Sequence, residues 1–245
     1  NVVAMIEGSG PLKSEVVVLS AHADHRGISG AAEREGRDSI MNGADVSGSG
    51  SMALLEIAEY IESLREKPKR SIVFLWTVGE EQGMLGSQWF VAHTTEWLGT
   101  VVANINVDAI GRGGANDVPG GGPDYVQVRG ANVLSTEYAG WINDMIGRPD
   151  IGLKPVEPIT IHNLAATASC GGDHRSFTRA GIPSVSITTG LHADTRAVTD
   201  EAQRLDYEKT AKVAQFVAAL ALDVAGRPAR PVLDPRLAVA LPCGG

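Results

Sequence analysis

Histidines and acidic residues recur in this sequence directly after runs that read as β-strands. "SAHADH" ends one run with His22, Asp24 and His25. "GEEQGMLGS" follows another with the adjacent pair Glu80 and Glu81. "VDAIGR" supplies Asp108 and Arg112, and "TGLHADTR" supplies His192, Asp194 and Arg196. Imidazole and carboxylate are zinc ligands, so the set points to metal-assisted hydrolysis. The i, i+2 spacing of His22 and Asp24 puts both on one face of an extended segment. Asp24 is then expected to hold the far ring nitrogen of His22 and fix its tautomer. Glu80 and Glu81 must diverge if the chain is extended there, one free to bind metal and the other to act as general base. Each of these has a plainer reading. A lone His or Asp at a strand end is usually a cap, and two glutamates at a helix start are favoured by its dipole. It is their joint placement that argues for a site.

The elements that must position them are short β-branched runs alternating with helical patterns. Residues Asn1–Ile6, Glu15–Ser20, Ser71–Thr77, Thr100–Val107 and Ser184–Thr189 read as strands. Several are apolar at consecutive positions, the pattern of strands covered on both faces. Leu54, Ile57, Ala58, Ile61 and Leu64 make one helical stripe, in a helix expected to begin near Ser49. Val213, Phe216, Val217, Leu220 and Val224 make another, ended by Gly226 as C-cap and Pro228 as breaker. A third helix is expected from Val133 to Met145, and Gly111–Pro123 reads as a loop. The fold class is therefore α/β, a three-layer α/β/α sandwich with a mostly parallel mixed central sheet. In such sheets ligands gather at the carboxyl ends of the strands, where these side chains lie.

The 245 residues carry no repeat or dividing linker and read as a single domain, 1–245, large enough for a full core. The chain starts inside a strand-like run, so an N-terminal part of the full-length protein is expected to be missing. The net charge of −8 argues against nucleic acid or an anionic membrane as partner. No apolar run approaches the ~20 residues of a membrane span. Cys170 and Cys243 are too few for a disulfide framework or a cysteine zinc site; one bridge and two free thiols both remain open. There is no G-x-S-x-G, and Ser47 and Ser49 lie in a glycine-rich loop that more simply starts a helix.

In order and spacing, "VVVLSAHADH", "NGADVSGSGSMALLEIA", "RSIVFLWTVGEEQGMLGS", "NINVDAIGR", "DHRSF" and "GIPSVSITTGLHAD" resemble the di-zinc aminopeptidase family. That family also holds glutamate carboxypeptidase II, the glutaminyl cyclases and the transferrin receptor. The resemblance covers nearly the whole chain. It implies a zinc-exopeptidase fold, with His22 and Asp108 as ligands of the first zinc and Glu81 as a ligand of the second. It also implies Glu80 as general base and Asp24 as the residue behind His22.

Two positions depart from that pattern. The family loop reads Gly-Ala-Asp-Asp-Asn-Gly-Ser-Gly or close to it, and its second Asp bridges the metals. Counting back from Gly50, Val46 stands there, and Asp45 matches a preceding position that is not a ligand. The last ligand is the His of an Asp-Tyr-His-Thr-Pro-Ser-Asp segment. Here the segment reads "DTRAVTD", with Arg196 in place of the His. Catalytic zinc normally has three protein ligands, and neither site keeps that many. Without metal, Glu80, Glu81 and Asp108 repel one another, and Arg196 brings a permanent cation to the same place. Arg196 is expected to pair with Glu81, with Glu80 or Asp108 as further partners; the plainer reading is that it points to solvent. Zinc, the family cofactor, is thus expected to be absent or weakly bound, and the domain to bind a peptide or protein without normal peptidase activity. The alternative is an active metallo-aminopeptidase with a rearranged, weakly metal-binding site, completed by Asp45, His25 or His192. A secreted or periplasmic location follows from the resemblance alone.

Overall fold

Seven strands line up in one sheet in a computed structural model that describes residues 1–30, 37–94, 98–155 and 171–236. In chain order the strands are β1 (Val2–Ile6), β2 (Glu15–His22), β3 (Gly27–Ile28), β4 (Ile40–Met41), β5 (Ser71–Thr77), β6 (Thr100–Val107), β7 (Tyr125–Arg129), β8 (Lys154–Pro155) and β9 (Ser184–Thr188). The sheet order is β1-β5-β2-β6-β9-β7-β8, and β3 with β4 forms a separate two-stranded ribbon. The central strands β5, β2, β6 and β9 run parallel to their neighbours, whereas β1 joins β5 and β7 joins β9 antiparallel. The carboxyl ends of four parallel strands therefore lie side by side.

The helices are α1 (Gly50–Ser63), α2 (Leu85–His93), α3 (Thr136–Ile146), α4 (His174–Arg179) and α5 (Tyr207–Gly226). They cover both faces. Val17, Leu19 and Ala21 of β2 pack in one cluster with Leu54, Ile57 and Ile61 of α1, Ile142 of α3 and Phe216 of α5. Val16 and Val18 point the other way, into a smaller cluster with Phe90 of α2 and Phe177 of α4. That is why β2 reads VVVL rather than alternating: both of its faces are interior. Burying each large apolar side chain of the α1 stripe stabilises the fold by roughly 1.5–3 kcal/mol.

Polar residues pin the register inside the sheet. Ser20 on β2 stands opposite Asn106 on β6, and its hydroxyl donates to the Asn106 carboxamide at 2.9 Å. Asn104 Nδ2 donates back to Ser20 Oγ and to the Val18 carbonyl. All three side chains are buried.

Helix ends differ from the sequence expectation in two places. α3 starts at Thr136, not Val133, because Ser135 is its cap and accepts from the Tyr138 amide. Gly226 is not a left-handed cap: it is the last helical residue, and Arg227 is the extended one. Pro228 imposes that extension on the residue before it. Strand β2 also runs two residues further than expected, through His22. Cys170 and Cys243 lie outside the described residues. Among the described residues no helix is long and apolar enough to cross a membrane.

Candidate active site

His22 closes β2 opposite Thr77 of β5 and is buried. Asp108 follows β6 directly, and its Oδ1 lies 3.4 Å from His22 Nε2. Burial disfavours the His22 cation, but the hydrogen bond and charge of Asp108, with Glu80 behind, raise the imidazole to about 9. Burial likewise opposes ionisation of Asp108, yet His22 and, more weakly, Arg129 hold its carboxyl below the usual value. The other ring nitrogen of His22, Nδ1, sits 2.8 Å from the main-chain carbonyl of Asp24. The Asp24 carboxylate is 3.8 Å away and does another task. It accepts from the Glu80 and Glu81 amides, tying the turn after β2 to the turn after β5. The side chain expected to orient His22 thus orients the two glutamates, and its own backbone orients His22.

Glu80 and Glu81 do diverge. Glu80 faces the His22–Asp108 pair, and burial, joined by the charges of Asp108, Asp173 and Glu81, pushes its carboxyl up to about 7 against the pull of His22. Glu81 is only 4% exposed and looks toward three basic groups. His25 Nδ1 is 3.5 Å away, Arg26 Nε 3.3 Å and Arg196 Nε 3.3 Å. Arg196 has φ 60°, so the loop after β9 turns through a left-handed residue as it delivers the guanidinium.

Val46 and Asp45 precede α1. Both of their amides donate to the carboxylate of Asp200, which is fully buried. Asp45 is also sealed in. Its Oδ1 accepts from the Gly111 amide and the Ser49 hydroxyl, and its Oδ2 lies 3.1 Å from His192 Nε2. Val46 is buried as well, at 6% exposure. Gly43 opens this turn at φ 64°, and a Cβ there would come within 2.6 Å of the His25 ring. Only glycine fits both demands.

Sequence reasoning gives no role to three further residues. Asp173, just before α4, is buried, and its Oδ2 accepts from Thr77 Oγ1. Burial pushes its carboxyl up. It lies in the "DHRSF" stretch, which was the available signal. Arg129, at the end of β7, and Asp200 reach the site only through tertiary contact.

His22 and Asp108 remain together, Val46 has no donor atom, and Glu81 is engaged by two guanidiniums. Among the described residues no three His, Cys, Asp or Glu side chains converge as a metal-binding group.

Comparison with known proteins places these features. The profile of peptidase family M28 matches residues 1–221. A probable leucine aminopeptidase of Trichophyton verrucosum is 28% identical over 231 residues, which cover 88% of this chain and 56% of the relative. Leucine aminopeptidase 1 of Trichophyton rubrum is 36% identical over 115 residues, 45% of this chain and 29% of the relative. The chain thus spans about half or less of the length of these relatives. Among solved structures, the LapA aminopeptidase of Legionella pneumophila superposes with a TM-score of 0.70 at 24% identity, covering 92% of this chain and 55% of that one. BSAP, a zinc aminopeptidase from Bacillus subtilis, gives 0.68 at 20%, covering 93% and 50%. These two likenesses speak to the fold.

Proposed function

The chain belongs to peptidase family M28, and from that premise we propose that it is an aminopeptidase-like domain that holds no catalytic zinc pair and lacks normal peptidase turnover. It binds a peptide or protein at the carboxyl ends of the parallel strands, where His22, Glu80, Glu81 and Asp108 lie. The observation that carries this reading is the contact of Arg196 with Glu81. A permanent cation sits on the one carboxylate left for the second metal, and the residue at the bridging place is Val46. The ionic pair supplies the positive charge that a metal would otherwise bring among Glu80, Glu81 and Asp108.

The reading in which Asp45 swings in to complete a weak site is disfavoured by its surroundings. Moving that carboxylate strips the Gly111 amide and His192 of a buried acceptor, while the Ser49 hydroxyl keeps the Asp45 carbonyl. Each buried group so abandoned costs about 1–3 kcal/mol.

Two measurements on one preparation test the proposal: zinc content by elemental analysis, and hydrolysis of an aminoacyl-nitroanilide with and without added zinc. The expected result is substoichiometric zinc and no zinc-stimulated turnover. Stoichiometric zinc with turnover would overturn the proposal and establish the rearranged metallo-aminopeptidase instead.

A further inference from the structure

The outward side of the Glu81 cluster is not used by anything described so far. Arg26, from the turn after β2, and Arg196, from the loop after β9, both reach Glu81 through Nε. The two arginine side chains are 48% and 49% exposed, over a Glu81 side chain that is only 4% exposed. A guanidinium carries five N–H donors in a rigid fork. Here one on each is used, and no described residue accepts from the Nη groups of either. Two long side chains from separate loops are therefore anchored on one buried oxygen pair, and their free forks are held at the rim of the site. Much of the rotamer entropy that an arginine normally loses on binding an anion has already been given up in folding. Deeper in, Glu80, Asp108 and Asp173 repel an anion, so it is stopped at the rim.

We propose that Arg26 and Arg196 form a clamp for a carboxylate of the bound peptide, so that the site selects acidic ligands. This rests on the reading that Arg196, and not metal, occupies Glu81. The carboxylate has two sources in a peptide, an acidic side chain and the C-terminus, and the shared chemistry is a planar oxygen pair that matches the fork.

The test is calorimetric titration of chelator-treated protein with three peptides: Ala-Glu-Ala-amide, Ala-Gln-Ala-amide and Ala-Gln-Ala with a free C-terminus. One of the two carboxylate-bearing peptides is expected to bind about tenfold tighter than the neutral amide, which one identifying the source. High salt should erode the difference. Arg26→Ala and Arg196→Ala should each abolish it, read as the ratio of the charged-peptide to the neutral-peptide affinity within each variant, and Arg26→Lys should restore it only in part, since charge returns without the fork. The neutral peptide serves as the folding control in every variant. Equal affinity for all three peptides, or discrimination that survives in both alanine variants, overturns the clamp. Zinc content of the protein before chelator treatment keeps the two readings apart. Zinc-free protein without discrimination removes the clamp alone. Stoichiometric zinc removes the proposed function, and the clamp falls with it.

Discussion

Asp45 and His192 meet at 3.1 Å with neither side chain exposed to solvent. The loop carboxylate next to the bridging place is thereby committed to holding the β9 loop against the turn before α1. On the proposed reading, a metal-binding carboxylate would then have to come from position 46.

Restoring both departures should therefore restore metal. Val46→Asp with Arg196→His is expected to convert a weak or absent zinc affinity into a stoichiometric one. Val46→Asp alone should fail, because Arg196 would pair with the new carboxylate. Competition with a zinc-selective dye measures both variants. Equal zinc uptake by the single and double variants would show that Arg196 does not block the site.

Asp200 gives a stability prediction. Its carboxylate accepts from two adjacent buried amides, at 3.0 and 3.2 Å. Asp200→Ala leaves both without that partner and should cost about 2–4 kcal/mol in urea unfolding. Asp200→Asn keeps one acceptor oxygen and should cost less. If the two variants unfold at the same denaturant concentration, the loop is not held by these bonds.

Chelator-treated protein should lose stability as pH rises from about 4.5 to 9. Glu80 has its folded value raised to about 7 from 4.5, and His22 to about 9 from 6.5. In both cases the folded state binds protons more tightly than the unfolded chain. The stability each contributes is complete below its unfolded value and is lost as pH passes its folded value. Asp108, held below its usual value, acts in the opposite sense only at acid pH. Urea unfolding at intervals across this range checks the slope, and the His22→Gln variant should flatten its alkaline part.

Lys209 offers a prediction on loop order. Its buried ammonium donates to the Gly113 and Gly122 carbonyls, closing the glycine-rich loop that follows Asp108. Lys209→Met keeps the stem and strips two carbonyls of their donor. It should destabilise by about 1–3 kcal/mol and speed hydrogen exchange at the Gly121 and Gly122 amides. Unchanged exchange there would mean that the loop is closed by its own backbone bonds.

Much of this arrangement is legible in the sequence because the relevant signals are local. Consecutive apolar residues in β2, β5 and β6 announce doubly covered strands, and strand ends announce where ligands gather. What escapes is short or non-local. The "YVQVR" of β7 places Gln and Arg on a short strand beside a glycine-rich loop, and its pairing with β9 comes from far along the chain. In α2 the apolar stripe is obscured by Gly86 and Ser87 and by Leu85 and Trp89, which face outward. The six-residue α4 is too short to show a period. Within the site, residue types at positions 46 and 196 can be read directly. No local pattern predicts that Asp200 holds the loop, or that Asp24 turns its carboxylate to the glutamates while its carbonyl takes the imidazole.

The Ser20–Asn106–Asn104 hydrogen bonds have a consequence for accuracy in folding. A slip of β6 against β2 by two residues would keep every apolar side chain on its proper face, so burial alone would not detect it. It would also carry Asp108 about 6.6 Å along the strand, away from His22. Such a slip breaks the match between a buried hydroxyl and two buried carboxamides, groups that are costly to leave unpaired. These three residues work as a proofreading element for strand alignment. They make the spacing between His22 and Asp108 a property of the sheet itself.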